Sequence, residues 1–128
     1  MPIWKAARQG KKPSGGRFWP DKKKRAYEIG TDPTNTKISG KTTQRQKKLR
    51  GGGHITQLLT ADRANLMISK GKFKISKIKT VKENPANRHF VRMNVMTKGA
   101  IVETEDGLAR VTSRPSRDGI VNAVLVAK

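Results

Sequence analysis

Three carboxylates, Glu103, Glu105 and Asp106, fall within four consecutive residues, a density at which paired acids could do general acid–base work. That chemistry needs burial to hold the two groups in different protonation states, and the pattern around them points outward. With Asp106-Gly107 read as a two-residue turn, Val102 pairs with Val111 and Thr104 with Ala109. Glu103 then lies opposite Asn94 and Arg110, and Glu105 opposite Arg92, on the solvent side. Cross-strand ion pairing is the expected role, with Asp106 serving the turn. The two histidines, His54 and His89, are too few for a metal cluster, and the absence of cysteine excludes disulfides and thiolate sites, as suits a reducing compartment. Ser113 and Ser116 have no His-plus-acid pair that spacing can place beside them. Gly51-Gly52-Gly53 lacks the spacing and the Gly-Lys-Ser/Thr ending of a phosphate loop and reads as a hinge. No catalytic residue, metal, cofactor or small-molecule substrate is expected.

The residues with an evident task are cationic. The chain carries 29 Lys and Arg against nine acids, a formal net charge of +20. Fifteen of those cations and only three of the acids lie in residues 1–53. Lys11, Lys12 and Arg17 bracket a Pro-Ser-Gly-Gly turn, Lys22, Lys23, Lys24 and Arg25 form a dense block, and Arg45, Lys47, Lys48 and Arg50 form another. A solvated charged face normally interleaves both signs; these blocks do not. A polyanion is the partner that neutralises such a surface, and folded RNA is the foremost candidate. Trp4, Phe18, Trp19 and Tyr27 stand in polar sequence with no core to join. Stacking on bases would use them, Trp4 and Trp19 first; docking on the rest of the protein is the rival reading. Further along, Arg88 with Arg92, and Arg114 with Arg117, are the best phosphate contacts, because the planar guanidinium can bind phosphate with two parallel hydrogen bonds. Arg92 and Arg110 rank lower because the register gives them acidic partners.

The elements that position these groups differ between the two ends of the chain. Residues 1–53 hold twelve apolar side chains and residues 54–128 hold thirty-one. Ordering a backbone costs about 1–2 kcal/mol per residue, and the first segment buries too little to offset it. It is expected to be a basic arm, largely disordered when free, with a short helix around residues 22–29 that Asp21 caps and Gly30 ends. Beyond the glycines the pattern turns to period two. Residues 54–59, 65–69 and 72–81 read as strands, Lys70-Gly71 turning the chain so that Ile68 faces Phe73 and Leu66 faces Ile75. The alternation slips between Ile75 and Ile78, which suggests a bulge near Ser76-Lys77. Asn84-Pro85-Ala86-Asn87 is a loop. With Lys98-Gly99 as a turn, Val95 pairs with Val102 and Met93 with Thr104. Val91, Met93, Val95, Ala100, Val102, Thr104, Ala109 and Val111 then share one face. A last strand, residues 120–126, is apolar on both sides. The expected fold is all-β: a small closed barrel of about six short, antiparallel-rich strands at 54–128, behind the arm at 1–53.

The chain also resembles the archaeal and eukaryotic S-eight-e family of small-subunit ribosomal proteins. The resemblance rests on Trp4, Pro13-Ser14-Gly15-Gly16-Arg17, Tyr27-Glu28-Ile29-Gly30 and Asp32-Pro33. It continues through Asn84-Pro85-Ala86-Asn87-Arg88-His89-Phe90, Thr97-Lys98-Gly99-Ala100-Ile101, Ala109 to Pro115 and Asp118 to Leu125. It implies a β-barrel with a basic extension that threads into ribosomal RNA, without enzymatic activity, and the short length resembles the archaeal form. Carried over by motif, Arg17, Arg50, Arg88 and Arg114 become the leading RNA contacts. Thr31 and His54 stand where the family usually has Arg and Asn.

The expected function is therefore structural: binding and stabilising folded RNA of the small ribosomal subunit through the arm and barrel arginines. Ribosomal RNA and neighbouring ribosomal proteins are the expected partners, for a protein that is monomeric when free. No apolar run is long enough for a membrane span and no secretory signal is visible, so the expected location is the cytoplasmic ribosome. Without the resemblance, the residues alone stop at an RNA or DNA scaffold. A DNA-coating protein and an RNA-modifying enzyme are the alternatives, the latter requiring a buried acid or histidine near the cations.

Overall fold

Strands whose apolar residues alternate need partners on both sides, and a closed sheet supplies them without leaving an edge. The structure is a computed structural model that describes residues 10–19, 25–28, 30, 32–49 and 51–126. The chain divides into two compact units, Met1–Pro33 and Thr34–Lys128. The second contains β1 (Thr36–Ile38), β2 (Thr43–Lys48), β3 (His54–Ala61), β4 (Arg63–Ser69), β5 (Lys72–Glu83), β6 (Val95–Met96), β7 (Ile101–Thr104), β8 (Gly107–Val111) and β9 (Asn122–Leu125). Two single helical turns, α1 (His89–Arg92) and α2 (Pro115–Asp118), interrupt them. Five strands close a barrel in the order β4-β5-β7-β8-β9, with β9 returning parallel to β4 and the other pairs antiparallel. A separate four-stranded sheet runs β2-β3-β1-β6. One apolar cluster spans both sheets, with Leu58, Leu66, Met96, Val102 and Val111 among its fully buried members.

The closed all-β barrel is present, with five strands rather than about six, because β3 pairs outside it. The second compact unit runs from Thr34 to Lys128 and includes strands β1 and β2. Residues 36–48 escaped notice because β2, Thr-Gln-Arg-Gln-Lys-Lys, has no apolar residue to show a period. Its partner β3 supplies the register, from Thr43 opposite Thr60 to Lys48 opposite His54. The glycines are consequently no hinge between arm and barrel. Leu49 N–H donates to Gly53 O at 2.7 Å, and Gly51 and Gly52 take φ of 92° and 87°, a left-handed pair that glycine adopts without steric cost. They close the β2–β3 hairpin. Of the helix expected around residues 22–29, a 3-10 turn at Ala26–Glu28 is described, and residues 21–24 and 29 lie outside the described residues.

Three registers also differ. Residues 91–95 do not form a strand facing β7. His89–Arg92 is helical, Met93 is exposed, and Val95 pairs in β6 with Lys37 of β1. Asn94, at φ 50°, ends the turn, a left-handed position that asparagine tolerates better than most residues. The β7–β8 turn is Glu105-Asp106, with Thr104 opposite Gly107 and Val102 opposite Ala109. That register is two residues from the expected one, so the same side chains still point inward. The β4–β5 slip is odd and has the opposite effect. Met67 faces Phe73 and Ser69 faces Lys72, leaving Ile68 as a bulge. Ser76 and Ile78 turn inward while Phe73 and Ile75 are 70% and 64% exposed. The other irregularities of β5 fall at Lys79 and Lys82, not at Ser76-Lys77.

Candidate nucleic-acid interface

The Asn84-Pro85-Ala86-Asn87 loop is built around a buried amide. Asn84 Nδ2–H donates to Val95 O at 3.0 Å, while its Oδ1 accepts from Ala86 N–H at 3.0 Å and Thr97 Oγ1–H at 2.9 Å. Asn87 Oδ1 then accepts from His89 N–H at 2.9 Å and starts α1, as a side-chain oxygen does at a turn that opens a helix. Arg88 precedes the first helical residue and Arg92 closes the turn. Four positions apart, they lie on one side of it. Asn94 fixes the other end: its Oδ1 accepts from Val81 N–H at 3.4 Å, and its carbonyl accepts from Ile38 N–H at 3.3 Å.

This loop and turn stand over the outer face of β5, β7 and β8 and enclose an open groove of about 760 Å³. Lys82, Arg88, Arg92 and Arg110 line it together with one carboxylate, Glu83. Pro85, Val91, Ile101 and Val126 supply its apolar surface. Glu83 pairs with Ile101, which pairs with Arg110, so two strand spacings, about 10 Å, separate that acid from the guanidinium's strand. Arg88, Arg92 and Arg110 figure in no ion pair among the described residues. Glu103, the acid expected opposite Arg110, is held by other partners. Lys82 Nζ lies 3.0 Å from Glu103 Oε2, which also accepts from Thr80 Oγ1–H at 3.0 Å. The Lys82 hydrogen bond, then Thr80, holds the Glu103 carboxyl below its ordinary value. Lys74 does the same for Asp106 through their ion pair. Neither carboxylate is arranged as a general acid.

Arg114 and Arg117 are exposed at the two ends of α2. Asp118 Oδ2 accepts from Arg114 N–H at 2.7 Å, and Gln44 Nε2–H donates to Gly119 O at 2.7 Å, tying the turn to β2. Ser113 is a structural link rather than a nucleophile: its Oγ donates to Ile120 O at 3.0 Å and accepts from Asn122 N–H at 2.9 Å. On β2, alternation sends Arg45 and Lys47 to one face and Lys48 to the other, opposite Gln57, Ile55 and His54 respectively. The block thus divides between two surfaces. His54 and His89 are exposed.

In the unit Met1–Pro33, Lys11 and Arg17 face each other across an antiparallel bridge. Gly15 N–H donates to Lys12 O at 2.9 Å and Lys12 N–H to Gly16 O at 2.8 Å. Pro13 sits second in that turn and Gly15, at φ 81°, closes it as a glycine bulge does. Lys11, Lys12, Arg17 and Arg25 are exposed, as is Trp19 at 85%. Trp4, Lys22, Lys23, Lys24 and Arg50 lie outside the described residues. Sequence reasoning missed Lys82 as a groove residue and Asn84 as its organiser. An asparagine directly before a proline was the available signal. Among the described residues no group of three or more His, Cys, Asp or Glu could hold a metal ion, and no helix is long and apolar enough to cross a membrane.

The chain matches the family model described as Ribosomal protein S8e over residues 5–126. It is also similar to the small ribosomal subunit protein eS8 of Picrophilus torridus, at 45% identity over 120 residues, which cover 93% of this chain and 95% of that protein.

Proposed function

Because the chain belongs to the ribosomal protein S8e family, a family of structural ribosomal proteins rather than enzymes, we propose that it binds and stabilises folded RNA of the small ribosomal subunit. The observation that carries the reading is the groove in which Arg88, Arg92 and Arg110 converge without an ion-paired carboxylate. Guanidinium groups left unpaired beside apolar surface suit phosphate, which accepts two parallel hydrogen bonds from each. Arg114 and Arg117 add a second contact on the same unit, while the basic N-terminal segment, with Lys11, Lys12, Arg17 and Arg25, condenses along RNA and releases counterions. RNA shape and 2′-hydroxyls supply the specificity. The relative from Picrophilus torridus, by its name a small-subunit protein, supports that location, the ribosome of the cytoplasm. Small-subunit RNA and neighbouring ribosomal proteins are the partners, and the free protein is a monomer.

Filter binding to small-subunit RNA across a salt series tests the reading. Log affinity falls against log salt by about 0.9 per neutralised phosphate on duplex or 0.7 on single strand. A flat response, or equal affinity after Arg88, Arg92 and Arg110 are all replaced by Ala, would overturn it.

A further inference from the structure

The odd register slip in β4–β5 leaves an apolar surface outside the barrel that packing does not use. Val124, Met67 and Phe73 form one cross-strand row over β9, β4 and β5, and Asn122, Asn65 and Ile75 form the next. With Ile120 they line a groove of about 670 Å³. Asn65 Nδ2–H donates to Asn122 Oδ1 at 3.1 Å. The Asn65 side-chain carbonyl and the Asn122 side-chain N–H groups make no hydrogen bond among the described residues, an acceptor and donors of the kind a base edge can meet. No carboxylate lines the groove. Cations bracket it instead: Arg63 opposite Lys77 at one end, and Lys70 and Lys72 at the hairpin tip. Lys72 and Lys77 stand five positions apart on β5, about 17 Å of strand.

Lys70, Lys72 and Lys77 figure in no ion pair among the described residues, while Arg63 also meets Asp62 at 3.6 Å and Lys74 in the groove is held by Asp106. An exposed aromatic ring, a side-chain amide pair and flanking cations match the chemistry of one ligand class. Proteins read single-stranded RNA by stacking splayed bases on aromatic rings, pairing base edges with polar groups and holding the adjacent phosphates. A protein segment of apolar character would leave Lys70, Lys72 and Lys77 without counter-charge unless it brought acids of its own. We propose that this face binds an unpaired nucleotide of RNA, its base stacked on Phe73 and its edge met by Asn65 and Asn122. Phosphates on either side lie against Arg63 and Lys77 and against Lys70 and Lys72. The site is separate from the Arg88–Arg92–Arg110 groove and rests on the reading of the protein as an RNA binder.

Phe73→Leu keeps the apolar volume and removes the ring, whereas Phe73→Trp keeps a stacking surface. Because Phe73 is 70% exposed, both variants keep the fold, which thermal unfolding checks. The full chain and both variants are titrated with a short single-stranded oligoribonucleotide and with an RNA hairpin that has no unpaired bulge. Loss of one stacked base corresponds to about a five- to hundredfold drop in affinity. The expected result is such a drop for Phe73→Leu on the single strand, near-parental affinity for Phe73→Trp, and unchanged hairpin binding in both. Equal affinity of Phe73→Leu and parent for the single strand sinks this site. So does amide NMR perturbation of Phe73, Asn65 and Asn122 by an acidic, apolar peptide but not by the oligonucleotide. If replacing Arg88, Arg92 and Arg110 together by Ala also leaves hairpin binding intact, the broader RNA-binding reading fails as well; if it weakens that binding, only the Phe73 site is lost.

Discussion

The Thr36 hydroxyl donates to the main-chain oxygen of Leu58 across 2.6 Å, and both residues are almost wholly buried. This bond stands beside the parallel pairing of β1 with β3 and anchors the start of the folded unit in its core. Thr36→Val keeps the shape and removes this side-chain donor to the Leu58 carbonyl. Leaving a buried acceptor unmade costs about 1–3 kcal/mol, so chemical denaturation should show that loss while RNA affinity at moderate salt stays within error.

Truncation separates the extension from the folded unit. A chain beginning at Thr34 retains β1 to β9 and should show dispersed amide NMR signals with its unfolding midpoint little changed. One beginning at His54 loses β1 and β2, uncovers both edges of β3, and should lose hydrogen-exchange protection across residues 54–61.

Gly119 follows α2 at φ 73°, and a Cβ there would lie 2.6 Å from Thr56 Cγ2. Gly119→Ala meets both the left-handed backbone cost and the clash, about 2 kcal/mol or more in unfolding free energy. Gly40→Ala, with open space at its Cβ, is the comparison and should move the midpoint little.

Glu103 and Asp106 have folded-state values below the ordinary carboxylate range, through Lys82 and Lys74 respectively. A depressed folded value means the contribution is present above the unfolded value, about 4, and is lost as pH falls through the folded value. Both groups are solvent-screened, so the effect is small. Urea unfolding between pH 5 and pH 2 should show stability falling on acidification, and Glu103→Gln with Asp106→Asn should flatten that limb.

Individual arginines should register in the salt dependence of RNA binding. Arg88→Ala, Arg92→Ala and Arg110→Ala should each reduce the slope of log affinity against log salt by about one phosphate contact. Glu83→Gln, which removes the groove's one carboxylate, should tighten binding or leave it unchanged.

Charge and apolar period were legible directly. The excess of cations and the alternation through Val102, Thr104, Ala109 and Val111 pointed to a polyanion partner and a barrel, and those four side chains are buried. An error of two residues at the β7–β8 turn did no harm, since alternation repeats every two. The one-residue bulge at Ile68 exchanges faces, so the exposed Phe73 surface leaves no mark in the local pattern. The 36–48 strands were illegible because their stability lies in pairing with β3 and in the Thr36 hydroxyl, neither of which leaves an apolar signature. The convergence of Arg88, Arg92 and Arg110 depended on Asn84 and Asn94 bending a stretch that local pattern reads as extended. Charge and hydrophobicity belong to each residue wherever it sits and can be read in one dimension. Which cations meet, and which apolar side chains stay uncovered, depends on register and on hydrogen bonds between distant segments, which form only when the chain closes on itself.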